Sequence, residues 1–434
     1  MEAVQKKKLI LIGCGLRGNT YTYFASKLDG AYEVVAIAEP IRERREYVQR
    51  MHNLPDECVY ESWEPILSQP KMADAVIIAT MDRDHFAPSM AAIEKGYHLL
   101  LEKPVSPDPA ECVMIEEAAR RMNVRVLVCH VLRYTSFFRA LKKIIASGRL
   151  GDIVNIQHEE AVGHVHQSHS FVRGNWGNVS RSSPMLLQKS CHDMDILQWL
   201  LDKKCLRVQS FGSLTHFNEK HAPEGAPERC MDGCPQADTC PYNAVKLYLD
   251  DKQNAWFRDS CTKKFNATDA DVEYALRTTN YGRCVYKCDN DVVDHQVVNM
   301  EFEGGVTCSF TMCAFTGGGR FTRIMGTRGE LTARMGQPTV RLFDFETGSE
   351  QILSISDQVV DDTIVGGHGG GDSGIVACFH DLLCGREEDS SLADIATSVS
   401  NHMIAFAAEE SRLSGRVVDV AEYENAYREK VKQG

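Results

Sequence analysis

The run Leu9-Ile-Leu-Ile-Gly13-Cys-Gly15-Leu-Arg-Gly18 constrains this chain more than any other feature. An apolar strand pattern passes straight into G-x-G-x-x-G, and a second apolar run, Val34-Val-Ala-Ile-Ala38, follows and ends on Glu39. At that spacing a strand–turn–helix–strand unit binds a dinucleotide. Gly13 permits the tight turn, Gly15 lets backbone approach the pyrophosphate, and Gly18 lets helix pack close to strand. Leu16 and Arg17 open the helix whose free N–H groups face the phosphates. Glu39 can accept hydrogen bonds from the adenosine ribose hydroxyls and repels a 2′-phosphate, which favours NAD over NADP. Arg42 and Arg44 pull the other way, and a solvated surface Glu is the plainer reading of position 39.

A chain of 434 residues exceeds one ordinary core and is read as two domains. The formal charge of −12 argues against nucleic acid and anionic membranes as partners. No apolar segment is long enough to span a bilayer. The first eight residues run directly into the first strand, leaving no room for a leader, so a cytoplasmic protein is expected. Its sixteen Cys are then expected to be reduced.

Strand and helix patterns alternate through the first 130 residues, predicting a doubly wound parallel α/β domain over 1–132. From 133 to 434 strand-like segments recur at 153–159, 206–215, 292–302, 306–311 and 339–345. They predict an α+β domain with a large, mostly antiparallel open sheet. Helices are expected at 185–201 and at 394–414, the latter closing the chain. The Pro-, Cys- and Asp-rich stretch of about 215–264 is an excursion from that sheet.

Further motifs resemble those of the Gfo/Idh/MocA family of NAD(P)-dependent oxidoreductases, which act mostly on sugars and cyclitols. Ala79-Thr80-Met-Asp-Arg-Asp-His85 is similar to its A-T-P-x-x-x-H, and Glu102-Lys103-Pro104 to its E-K-P signature. His192-Asp-Met-Asp195 with Trp199-Leu200 resembles its H-x-x-D-x-x-x-W-L helix, and Gly326-Thr-Arg-Gly-Glu-Leu331 a late turn. The resemblance spans essentially the whole chain. It implies that Thr80, His85, Glu102 and Lys103 line the cofactor, and that Lys103 and His192 are the acid–base pair. A homo-oligomer, dimer or tetramer, is implied as well. Thr80, Glu102 and Lys103 also fall at carboxyl ends of strands, where such sheets place their ligand crevices. A histidine is suited to taking a carbinol proton near neutral pH.

The chain departs from the family's D-x-G-x-H. It reads Gln188-Lys189-Ser-Cys-His192-Asp193, so an acid is lost and Lys189 and Asp193 are gained, either as a catalytic pair or as a solvated helix face. Arg133, Tyr134, His164, His166 and Trp176 are candidate substrate contacts, and so are His368 and Asp372 in a second Gly-rich segment. Cys230, Cys234, Cys240, Cys284 and Cys288 could hold a structural zinc, or could pack as small apolar groups. Two enzymatic readings share these parts. One is an NAD-dependent sugar dehydrogenase. The other is a redox-neutral NAD-dependent glycosidase, with Lys189, Asp193, His295, His368 and Asp372 as extra acid–base groups. A sensor that binds NAD without turning it over is a third.

Overall fold

The computed structural model describes residues 5–359, 367–386 and 391–433. Six strands form the first sheet: β1 (Lys7–Ile12), β2 (Tyr32–Ala38), β3 (Val59–Tyr60), β4 (Ala75–Ile78), β5 (His98–Leu101) and β6 (Val126–Val128). All are parallel, in the order β3-β2-β1-β4-β5-β6. Successive residues of one strand enter different cores. Leu9 and Leu11 pack with Ile37, Ile77 and Leu100, while Ile10 and Ile12 pack with Val76, Ile78 and Leu99. Burial on both faces is why these strands read as unbroken apolar runs. Strand order reverses between β1 and β4, so the ligand crevice lies at the carboxyl ends of these two strands.

The second sheet has nine strands: β7 (Ile153–Ala161), β8 (Cys205–Ser213), β9 (His295–Phe302), β10 (Val306–Cys313), β11 (Gly319–Gly326), β12 (Gly329–Arg334), β13 (Thr339–Asp344), β14 (Ser349–Ser354) and β15 (Val418–Asp419). Their order is β14-β13-β12-β11-β7-β10-β9-β8-β15. The pairing of β10 with β7 is parallel and the others are antiparallel. The helix Met185–Leu201 is buried along most of its length against this sheet's core.

Three features differ from the sequence reading. The excursion occupies everything between β8 and β9 and builds two helices, Ala255–Thr262 and Asp269–Thr278, the second closed by a Thr268/Asp271 capping box. The chain does not close at residue 414; it continues into β15 and a helix, Val420–Gln433. Late segments also return to the first sheet. The helix Gly371–Leu383 buries Ile375, Val376 and Phe379 beside Leu9 and Leu11, and Asp394 bridges to Leu127 of β6. No helix among the described residues is long and apolar enough to cross a membrane.

Candidate active site

The turn after β1 leaves room where a dinucleotide needs it. Gly13 has φ +92°, and a Cβ there would stand 2.5 Å from the Ala79 carbonyl oxygen. A Cβ on Gly18 would overlap the Gly13 carbonyl at 2.0 Å, so both positions require glycine for close packing. Gly15 differs: its nearest neighbour is the tip of Arg44, 3.6 Å from an added Cβ. Helix α1 (Leu16–Lys27) starts at Gly15 with no side-chain cap and no acidic residue in its first turn, so its N–H groups and dipole face that space. These residues fit a pyrophosphate. Glu39 is buried and accepts from the Cys14 amide at 2.8 Å and the Ile41 amide at 2.9 Å. Its carboxylate braces the turn and, with two oxygens, keeps acceptor capacity for a ribose. Arg44, on helix α2 (Arg42–His52), lies within electrostatic reach of Glu39 and of Tyr281 and Asp259 from the excursion.

Glu102 follows β5 and is the hub of the next layer. It accepts from Arg17 Nε at 2.8 Å, from the Tyr21 hydroxyl at 2.5 Å and from the Lys103 amide at 2.8 Å. Burial pushes this carboxyl up, but the charges of Arg17 and Lys103 and the hydrogen bonds from Arg17 and Tyr21 outweigh it and hold it below its usual value. Arg17 is thus turned to Glu102, and also to Asp372 at 2.6 Å. The Lys103–Pro104 peptide is cis. Lys103 leaves this layer half-buried and donates from Nζ to the Gln188 carbonyl oxygen at 2.7 Å. One ammonium therefore ties the carboxyl end of β5 to the helix that carries Lys189 and His192. Its remaining two N–H donors are available to a substrate hydroxyl.

Lys189 and Asp193 do not form a pair. Asp193 is fully buried and accepts from Arg320 Nε at 2.6 Å, with His158 Nε2 at 3.0 Å. Burial alone would raise this carboxyl; Arg320 and the His158 contact hold it far below its usual range. It anchors Arg320 and His158 to the buried side of the helix. Arg320 also meets Glu160 at 2.6 Å, and Glu160 meets Lys189 at 3.3 Å. Lys189 is lowered by burial, with Arg320 and Lys103 adding to the effect and Glu160 opposing it. Lys189 is thus a buried ammonium on the same helix as His192, held by Glu160.

Several predicted contacts are placed elsewhere. Arg133 is buried in a two-pronged ion pair with Asp195, at 2.7 and 2.6 Å. Tyr134 is a core residue with its hydroxyl toward Cys378. His85 is buried between the Pro104 and Thr80 carbonyl oxygens, at 2.7 and 3.3 Å, and so joins two loops at the carboxyl ends of β4 and β5. Trp176 donates to Asp82 at 3.2 Å across the seam between the two sheets' domains. Asp372 is buried and paired with Arg17. His295 is paired with Asp294 at 2.9 Å. The side chain of His368 lies outside the described residues. Thr80 is half-buried, with its hydroxyl donating to the Asp84 carbonyl oxygen at 3.0 Å.

His166 lies in the short helix His164–His166 that follows β7, whose Glu160 meets Lys189 at 3.3 Å; burial holds its imidazole well below the usual value. His164 lies against Tyr242, with ring centroids 5.7 Å apart. The zinc expectation is corrected. Cys230, Cys234, Cys240 and Cys284 line one small cavity with Arg173, yet among the described residues no group of His, Cys, Asp or Glu is arranged to hold a metal ion. Burial raises the Cys240, Cys284 and Cys288 thiols, the last to about 11, so they pack as uncharged groups. All sixteen cysteines are free.

Sequence reasoning missed Glu160, Arg320, His130 and His402. Glu160 and Arg320 face each other across β7 and β11, a register invisible without the strand pairing. His130 lies between His192 and His402, with ring centroids 5.7 and 5.6 Å away.

Residues 7–130 match the NAD-binding Rossmann fold of the Gfo/Idh/MocA oxidoreductase family, and residues 142–419 match its C-terminal alpha/beta domain. A Bacillus subtilis (strain 168) protein named as an oxidoreductase, YteT, is 23% identical over 402 residues, covering 87% of this chain and 89% of its own. The inositol 2-dehydrogenase of Streptomyces avermitilis is 30% identical over 217 residues; the match covers 50% of this chain and 58% of that enzyme. A levoglucosan dehydrogenase solved with NADH and levoglucosan shares the fold, with TM-score 0.69 at 16% identity, over 96% of this chain and all of that one. The protein is an NAD-binding oxidoreductase and belongs to the Gfo/Idh/MocA family.

Proposed function

We propose that the protein oxidises a carbinol of a sugar or sugar derivative. The observation that carries this is the Lys103 tether, which brings an ammonium from the cofactor crevice onto the helix that bears His192. Lys103 hydrogen-bonds the substrate hydroxyl and favours its alkoxide, and His192 receives the proton. NAD, when bound, supplies the hydride acceptor. The small-molecule names among the relatives, inositol 2-dehydrogenase and levoglucosan dehydrogenase, support a polyhydroxylated substrate.

One observation favours a second reading, the redox-neutral glycosidase. Lys189 is a buried ammonium on the same helix as His192, and elimination of an aglycone next to a transient ketone requires such a further acid–base group. The purified protein is incubated with NAD and a panel of free sugars and nitrophenyl glycosides, following NADH absorbance and aglycone release together. NADH formed in step with substrate consumption is the expected outcome. Aglycone release without net NADH, lost when NAD is stripped, would replace the dehydrogenase with the glycosidase. Silence in both channels with NAD bound would point to a sensor.

The open face of the nine-stranded sheet carries exposed Leu206, Phe211, Val297, Phe343 and Ile352, which supports a homo-oligomer formed through this sheet. Light scattering on the purified protein is expected to give a multiple of the 48.5 kDa chain mass. A monomer at micromolar concentration would remove that assignment.

A further inference from the structure

The excursion between β8 and β9 is attached to the cofactor domain and to the candidate active site at once. Phe265 meets Tyr47 of α2 with ring centroids 4.5 Å apart, and Lys264 lies 3.9 Å from Glu43. On its other side Phe257 is buried and stacks on His169 at 4.0 Å, with the rings 9° from parallel. These contacts fix the helix Ala255–Thr262 relative to both halves of the site.

Trp256 is held by that arrangement without being covered by it. Its ring lies 4.8 Å from His169 and 5.5 Å from His166, both in edge-on geometry, and 41% of the residue remains exposed. The neighbouring Phe257 is buried and anchors the helix, while one side of the Trp256 indole packs on Phe257, His169 and His166 and the other stays open. His166 belongs to the short helix His164–His166 that follows β7, the strand whose Glu160 meets Lys189 at 3.3 Å. The segment therefore leads from the Glu160–Lys189 contact to the His166 imidazole, which meets the edge of Trp256.

We propose that Trp256 is the platform for a second ring of the substrate, so that the site selects a glycoside over a free monosaccharide. This rests on the sugar-oxidising reading above and names its substrate class. An indole offers an apolar surface that matches the C–H face of a pyranose, and its flat rigid ring loses little freedom when it is covered. The sugar to be oxidised lies against Lys103 and His192, and the ring glycosidically joined to it extends past His166 onto the indole. A free monosaccharide reaches Lys103 but leaves Trp256 uncovered.

The test compares wild type with Trp256→Ala and Trp256→Phe on matched pairs, such as glucose with cellobiose and maltose, and galactose with lactose. Both NAD-dependent turnover and equilibrium binding are followed, the latter by isothermal titration calorimetry. Trp256→Ala is expected to raise KM or Kd for the two-ring sugars by about tenfold, the effect of uncovering one ring face, while monosaccharides change less than about twofold. Trp256→Phe should recover much of the loss. Equal effects on one-ring and two-ring sugars, or none on either, would overturn the proposal. Should wild type turn over no sugar, the binding arm decides separately: disaccharide affinity that falls about tenfold in Trp256→Ala and returns in Trp256→Phe supports the platform while the oxidative reading fails, and disaccharide affinity that is absent or unaffected overturns the platform itself.

Discussion

Replacing Lys103 with Met is expected to lower kcat by about a thousandfold while NAD affinity changes by less than about threefold, within the range that positioned proton-transfer groups contribute. The separation follows from the geometry. The pyrophosphate seat is built from Gly13, Gly15 and the start of α1, none of which contacts the Lys103 ammonium. That ammonium points away, to the Gln188 carbonyl oxygen. Met preserves the length and apolar stem of the side chain and removes only the charge and donors. Lys103→Arg keeps a charge but replaces a compact ammonium with a planar fork, so it should recover little activity. Near-normal kcat in Lys103→Met would reduce Lys103 to a tether between domains. A parallel loss of NAD binding would mean instead that the E-K-P loop shapes the cofactor seat. NAD titration by fluorescence together with steady-state kinetics separates these results.

The parts of the site that were legible in the sequence are those whose physics is local. Gly13 and Gly18 are demanded by backbone within a few residues or on the adjacent strand, and Lys103 sits at a strand end that an apolar run already marks. The first sheet was readable for the same reason, since parallel strands buried on both faces leave an uninterrupted apolar signature. The strands β11, β12 and β14 were not: each holds few apolar residues among polar and charged ones, and the turn joining β11 to β12 gave the stronger signal. Contacts that depend on a distant partner were not legible. Asp193 looked like a candidate acid beside His192, and only folding brings Arg320 and His158 to its carboxylate. Asp372 was read from its Gly-rich neighbourhood, whereas its partner is Arg17, 355 residues away in the chain. Trp256 carried no motif at all. Its exposure beside His166 emerges only when the excursion is seen to fold over the site.

The protein is also expected to be acid-labile well above the pH at which its carboxylates titrate. His130, His169 and His402 are buried and neutral. Burial lowers His130 most, with the charges of Arg133 and Lys103 adding to it. His169 is lowered to about 3 by burial and by Arg173, and its Nδ1 meets the Tyr248 hydroxyl at 2.9 Å. His402 is lowered to about 3 by burial and by His130. It spends both nitrogens, Nδ1 donating to the Ser398 carbonyl oxygen and Nε2 accepting from the Val105 amide. In each case the folded pKa lies below the unfolded one. The unfolded chain therefore binds the extra protons, and stability falls as pH drops below the ordinary histidine value. Each histidine contributes up to about 1.4 kcal/mol per pH unit, so the three together should remove roughly 5 kcal/mol between pH 6.5 and 5.0. That is comparable to the whole stability of many domains, typically about 5–15 kcal/mol. The window lies above the range of Asp193 and Glu102, whose lowered values confine their own losses to more acidic solution. Urea denaturation at fixed NAD concentration, from pH 7 to 5, measures the slope. His402→Gln should be less stable than wild type at pH 7 yet lose stability more slowly on acidification, because one of the imidazoles that bind protons only in the unfolded chain is gone. Identical midpoints at pH 7 and pH 5 in wild type would show that these imidazoles are protonated inside the fold, which the geometry of His402 forbids unless its bond from Val105 is broken.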